Sequence, residues 1–425
     1  MPKSSGTFAA LGERDYRMLW SGSMLATTAF MMSFMLVPSV AFAISGSNAA
    51  AGLAQMGSGI GMLLVSPIGG VVADRMPKKP LVLAGQIVPS SVILVTGILI
   101  VTDHITVPIL TIATLVMGLG FAFMGPARQA WVAELVPREL LSNAIALQQI
   151  AQNISQVVAP LLIAALVGTV LDIGGAYLFM ASIFLVVLPI TIRLPSAPPV
   201  VKDRRPALTE LAAGFTYVWR DARLRTLWLG FMGLVVCGFA FQTLLPGLLE
   251  SELDRSSDQV GMIFLALAVA GLLVNLPLAG IVRSGPAWPL LLVAGMIMAL
   301  GFVALAFAPT YAMAIAAGVP LGIGRSGFML IDNSLLMANA EPAYHGRVMS
   351  LAMMGFGSQA LLAPAWGALA DAIGVRSTLL VVGVVAAVIT SLVGLSWARG
   401  RARWDETGTV RAATPSRAVA LAPSI

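Results

Sequence analysis

The chain has 425 residues, of which 58% are hydrophobic and 10% charged, with a formal net charge of +6. A soluble globule cannot hide that much apolar surface, so lipid must cover most of it. One Cys and two His leave no material for a metal site, an iron–sulfur cluster or a disulfide framework, and no cofactor is expected.

Met1–Arg17 is polar, and the apolar stretch after it is far longer than a signal-peptide core, so it reads as a retained first span. Crossing hydrocarbon takes about 20 mostly apolar residues. Twelve such segments follow in order, near 18–44, 49–73, 80–101, 107–127, 143–171, 175–193, 225–249, 259–282, 288–308, 311–337, 347–371 and 375–397. Between the sixth and seventh lies a loop that opens Pro-rich (Leu194–Pro199) and turns basic at Lys202, Arg204 and Arg205. Leu208, Leu211, Ala212, Phe215 and Trp219 then follow at helical spacing, which fits a helix lying on a leaflet surface. The expected layout is a six-helix half at 1–193, a cytoplasmic linker with an amphipathic helix at 194–224, a second six-helix half at 225–397, and a disordered cytoplasmic tail at 398–425.

With the N-terminus in the cytoplasm, all of the 25 Lys and Arg except three fall on the inner side. The exceptions are Arg255 and Arg376 outside and Arg325 within a span. The basic balance is therefore a topology signal. It excludes nucleic acid as the partner and points to a multi-pass protein of a bacterial inner membrane with both termini cytoplasmic.

The two halves repeat. Arg17-Met18-Leu19-Trp20-Ser21-Gly22 matches Arg225-Thr226-Leu227-Trp228-Leu229-Gly230, and the same offset of 208 carries Pro38 onto Pro246. Gly61, Pro67 and Gly70 map onto Gly271, Pro277 and Gly280 at offset 210. At offset 204, Gly118 and Gly120 map onto Gly322 and Gly324, and Leu147, Ala159 and Pro160 onto Leu351, Ala363 and Pro364. Six spans per half keep each span's direction, so the halves are related by an axis along the membrane normal.

Gly70-Val71-Val72-Ala73-Asp74-Arg75-Met76-Pro77-Lys78-Lys79 resembles the G-x-x-x-D-R-x-G-R/K-R/K loop signature of the major facilitator superfamily, with Pro77 where Gly is usual. In the second half Ser284 and Gly285 replace the Asp and Arg. Val72-Ala73-Asp74-Arg75, the Leu194-Pro195 run with Ala213-Gly214-Phe215, and Glu341-Pro342 with Gly346-Arg347-Val348 resemble the enterobactin-exporter-like (transmembrane secretion effector) branch. The resemblance implies an all-α membrane fold of twelve transmembrane helices in two pseudo-symmetric six-helix halves. It implies a secondary transporter working by alternating access, expected as a monomer. It also implies an inner gate in which Asp74 meets the start of the eleventh span near Gly346 and Arg347; Gly70 would permit close approach, and Glu134 is the candidate acid for Arg75, which otherwise serves as a topology charge. Two antiporter features are missing: Thr114 stands where the fourth-span Arg is usual, and Ala159-Pro160 replaces Gly-Pro in the fifth span.

Ionisable residues within a span are costly and mark function. Arg325 and Asp332 both lie in the tenth span, seven residues apart, on one face and about 10 Å apart along the axis. Helical side chains lean toward the N-terminus, so Arg325 leans away from Asp332. Arg325 is the candidate for an anionic part of the substrate. If protons drive transport, Asp332 is the best titratable carrier. Gln148, Gln149, Gln152, Asn153 and Gln156 make a polar stripe about 140° wide on the fifth span, which reads as cavity lining or interhelix glue. Gln242, Thr243, Asn275, Asn333 and Gln359 are further cavity candidates, and Met31, Met32, Met35, Met353 and Met354 could line an adaptable apolar wall.

Three functions fit to different degrees. Export of an amphipathic small molecule (a drug, siderophore or metabolite) agrees with the branch resemblance and the few deep charges. An importer or lipid carrier could use the same fold. A membrane enzyme would need a nucleophile–base or metal constellation, and His104, His345 and Cys237 stand apart in the sequence.

Overall fold

A computed structural model of the chain describes residues 8–167, 170–196, 207–284, 286–341 and 344–400. The side chains of 66–75, 126, 207–208, 210–211, 279 and 282–284 lie outside that description, as do the linker's Lys202, Arg204 and Arg205 and the tail from 401 on.

Among the described residues, twelve helices are long and apolar enough to span a bilayer. They are α1 (Arg14–Ser45), α2 (Asn48–Arg75), α3 (Lys78–Val101), α4 (Val107–Leu135), α5 (Leu141–Leu166), α6 (Ile173–Arg193), α8 (Ala222–Glu252), α9 (Gly261–Ser284), α10 (Ala287–Ala306), α11 (Tyr311–Asn339), α12 (His345–Ile373) and α13 (Val375–Gly400). The linker forms α7 (Ala207–Arg220), and among the described residues there is no strand beyond one isolated bridge, Val167 to Leu171. In a bilayer core every backbone polar group must bond internally, and helices do so within one segment. The chain is a multi-pass membrane protein.

Helix ends follow local chemistry. α1 stops at Gly46, whose φ of +67° is left-handed. α6 starts at Asp172, whose Oδ1 accepts from Gly175 N at 2.5 Å. That cap, with the bridge before it, explains why α5 ends at Leu166 instead of the expected 171. α8 starts at Asp221, which accepts from Arg223 N and Leu224 N. α4 runs to Leu135, two turns past the expected end at 127, so Arg128 belongs to the helix and not to its end.

The packing repeats as the sequence does. α1 packs on α5 and α6, and α8 on α12 and α13; α2 packs on α4, and α9 on α11. α3 packs on α4 and α6, and α10 on α11 and α13. Equivalent glycines make the closest approaches. A methyl on Gly61 would lie 2.6 Å from Leu115 O, and one on Gly271 would meet Ser326 and Gly322. Gly118 and Gly322 similarly meet the backbones of Ser58 and Leu267.

The bundle has a termini end, where α1 begins and α13 finishes, and a distal end. The halves meet across α2 and α12, which run antiparallel. A methyl on Gly52 would lie 2.5 Å from Ala363 O and 2.6 Å from Pro364 Cα; one on Gly59 would lie 2.7 Å from Ala360 Cβ; and one on Gly357 would lie 2.5 Å from Leu63 Cγ. Gly367 abuts Asn48, and Gly261 at the distal start of α9 abuts Ala164 near the distal end of α5. These contacts run from the distal rim to mid-depth and close that end. We predict that Gly52→Leu forces the distal end apart. With spin labels at Ile44 and Ile373 in a Cys237→Ser background, the measured distance distribution should shift to longer values, whereas Gly12→Leu, where a Cβ meets nothing within 4 Å, should leave it unchanged.

Candidate functional site

Arg325 sits midway along α11, where it faces α8. Its guanidinium carbon lies 4.9 Å from the centroid of the Phe239 ring, and its Nε is buried without a hydrogen-bond partner. Gly238 makes the room: a methyl there would lie 3.5 Å from Arg325 Cγ. A cation over an aromatic face is partly stabilised by the ring's quadrupole. Phe239 packs edge-on against Phe356 at 5.8 Å, and Phe356 against Phe231 at 6.2 Å. Asp332, two turns further on, is fully buried, and neither carboxylate oxygen has a partner. The two residues do not bond each other, as the lean of helical side chains leads one to expect. Asn333 is half-buried, with its Oδ1 unpartnered.

The α5 stripe divides. Gln149 and Gln156 are exposed, whereas Gln148, Gln152 and Asn153 are half-buried. Gln149 Nε2 donates to Asn153 Oδ1 at 3.3 Å, and Gln148 Nε2 is buried without a partner. Gln242 and Gln359 are buried. Thr243 Oγ1 donates to Gln55 Oε1 at 3.0 Å, a buried polar bond between the halves.

At the termini end, the α2 backbone is helical through Gly70, Asp74 and Arg75, but their side chains lie outside the described residues. Glu134 is exposed, and Lys78 is the cation whose charge acts on it. Arg347 opens α12, where its guanidinium lies 4.8 Å from the Tyr344 ring centroid and its Cβ abuts Gly214 of α7. α7 is tied to the same corner: Tyr217 stacks on Tyr344 at 4.0 Å, and its Oη accepts from Glu341 N at 3.0 Å.

At the distal end, Asp371 on the last turn of α12 caps the first turn of α2. Its Oδ1 accepts from Asn48 N at 2.9 Å and Asn48 Nδ2 at 3.0 Å. Its Oδ2 accepts from Ala49 N at 3.0 Å and Ser47 Oγ at 2.6 Å. A carboxylate at a helix N-terminus satisfies orphan donors and meets the positive end of the dipole.

The Major Facilitator Superfamily model matches residues 19–358. The chain belongs to that superfamily. The enterobactin exporter EntS of Escherichia coli O127:H6 is 27% identical over 358 residues, covering 79% of this chain and 82% of that protein. The staphyloferrin A transporter of Staphylococcus aureus is 23% identical over 336 residues, covering 77% and 83%. Among solved structures, the nucleoside transporter NupG superposes with a TM-score of 0.70 at 13% identity, covering 90% of this chain and 99% of that one. A bacterial homologue of the lysosomal transporter Spinster gives 0.72 at 14% identity, covering 91% and 98%.

Three features of this superfamily transporter escaped the sequence reading. Asp371 lies at the end of the expected span 347–371 and carries no signal of its own in the sequence. Arg128, assigned to the inner topology charges, reaches from α4 to α1, where its Nη1 donates to Thr27 Oγ1 at 3.3 Å. Gln55 had no signal as a cross-half acceptor. Thr114, in place of the antiporter Arg, donates to Ala54 O at 2.6 Å and binds α4 to α2, so this part of the wall is neutral. We predict that Asp371→Ala shifts the transporter away from distal closure by about tenfold or more, since each hydrogen bond to a charged group contributes about 1.5–3 kcal/mol. Asp371→Asn should shift it less. Cross-linking yield between cysteines placed at Ile44 and Ile373 checks both.

Proposed function

We propose that this transporter exports an amphipathic small molecule bearing an acidic group, such as a siderophore or related metabolite, across a bacterial inner membrane by alternating access. The observation that carries the reading is Arg325. It is a deep cation with no carboxylate partner among the described residues, held against Phe239 on a helix that packs on α8, so its charge is free for a substrate anion. The relatives named above, one called an exporter of enterobactin and one a staphyloferrin A transporter, support this substrate class. The Lys and Arg excess supports a cytoplasmic termini end. On that orientation a bundle closed distally is open inward, ready to load from the cytoplasm.

In the reading's second state, Asp74 meets the start of α12 near Arg347, Gly70 allows close approach, and Arg75 pairs with Glu134 to close the inner end. Residues 1–193 and 225–397 then rock as units about the linker 194–224, and the chain acts as a monomer. Asp332, with two unpartnered oxygens, is the candidate coupling group if protons drive the cycle, and Gln149, Gln152, Asn153, Gln156, Gln242, Asn333 and Gln359 line the path. An importer or lipid carrier on the same fold is the competing reading.

Reconstitution in liposomes against a compound panel, with and without a pH gradient, tests this directly. Arg325→Ala should weaken apparent affinity for acidic substrates by about 10-fold or more while leaving neutral compounds unaffected. Equal loss for both would remove Arg325 as the anion site. Asp332→Asn should abolish any dependence on the pH gradient; retained coupling would exclude it as the proton carrier.

A further inference from the structure

The same repeat that relates the two halves places Phe121 of α4 opposite Arg325 of α11, at offset 204, and Phe30 of α1 opposite Gly238 of α8, at offset 208. The structure fills these equivalent positions with contrasting chemistry. In the second half Arg325 lies in the space that Gly238 leaves open. In the first half Phe30 and Phe121 stack, with centroids 4.3 Å apart and planes 13° apart, and Phe34 extends the row at 6.4 Å from Phe30. All three rings are half-exposed, whereas Ala26–Ala29 and Leu36–Phe42 on either side of α1 are buried. Phe30 and Phe34 also line a recess together with Gln55. Gln55 is 2% exposed, and its Nε2 has no partner.

We propose that Phe30, Phe34 and Phe121 form an aryl-binding wall, and that the substrate lies across the central axis with an aromatic ring on this wall and its acid on Arg325. An axis along the membrane normal keeps equivalent positions at one depth on opposite sides, so the two subsites face each other. A free amide donor beside the rings suits an oxygen substituent on the aryl group, since a buried donor left unmade is costly. The inference rests on the acidic-substrate reading for one end of the ligand only; the aryl end stands on the rings alone.

The test uses the purified full chain in detergent and three probes: 2-naphthoate, its ring-saturated counterpart decahydro-2-naphthoate, and 2-naphthamide, with affinities from equilibrium dialysis. Greater hydrophobicity alone would favour the saturated ring. The wall predicts instead that 2-naphthoate binds about 3- to 10-fold tighter than the decahydro acid. Phe30→Leu and Phe121→Leu should each reduce that preference to within about twofold while keeping the preference of acid over amide. Phe121→Tyr, which keeps a ring, should retain the aryl preference and so separates loss of the wall from general damage. Arg325→Gln should do the converse, losing the acid preference and keeping the aryl one. Absence of an aryl preference in the native chain, its persistence in both Leu variants, or no binding of either aryl probe overturns the wall. An acid preference that survives Arg325→Gln removes Arg325 as the anion site, and absence of an acid preference in the native chain overturns the acidic-substrate reading; either leaves the wall standing.

Discussion

The close approach of α2 and α12 is the contact on which the distal closure depends. Gly52 and Gly59, seven residues apart, share one face of α2 and admit the α12 backbone, while Gly57 and Gly61 on another face admit α4. α2 is therefore packed without side-chain cushioning on two sides. Lipid tails are as apolar as the helices, so the association rests on van der Waals fit and on interhelix hydrogen bonds. Two bonds of the second kind sit beside the glycines: Gln55 with Thr243, and Asp371 with the start of α2. A surface that fits only at contact distance is either closed or open, which suits a protein that must alternate between two shapes.

The distal cap and the proposed inner gate share a chemical form. α12 ends in Gly367-Ala368-Leu369-Ala370-Asp371, and α2 ends its own run with Gly70-Val71-Val72-Ala73-Asp74. At the distal end Gly367 abuts Asn48 and the Asp371 carboxylate reaches the first N–H groups of α2; the proposed gate would use Gly70 and Asp74 in the same way. The helices run antiparallel, so on that proposal one pair of elements would carry the same latch at both ends. Alternation on this scheme exchanges one set of charge-assisted bonds for another, which keeps the two states near in free energy.

Much of the fold was legible because membrane spans have a strong signal: twelve long apolar segments, a one-sided charge distribution and a repeat with nearly constant offset. Arg325 and Asp332 stood out for the same reason, being charges where charge is expensive. What was hidden depended on neighbours from distant sequence. Asp371 lies more than 320 residues from the backbone it caps, and an aspartate at a span end reads as ordinary boundary polarity. Arg128 was misplaced because hydropathy falls at residue 127 while the helix continues for two turns. The Phe30–Phe121 pair looks in sequence like any packed aromatic, and only the contrast with Gly238 and Arg325 gives it meaning. The second G-x-x-A-D run was readable, but a search at fixed offset compares like ends of like spans and passes over a match between opposite ends.

The cap at Asp371 also alters what proline would do at the start of α2. Proline in the first turn of a helix is normally harmless, since its missing N–H would have had no partner within the helix. Here the amides of Asn48 and Ala49 are bound by a carboxylate from the other half of the molecule. Proline at either site would leave α2 intact and remove a donor from the latch. A substitution innocuous for folding would thus act as a lesion of conformational balance, producing a well-expressed protein with a displaced resting state. Natural variation at these two positions should be poor in proline.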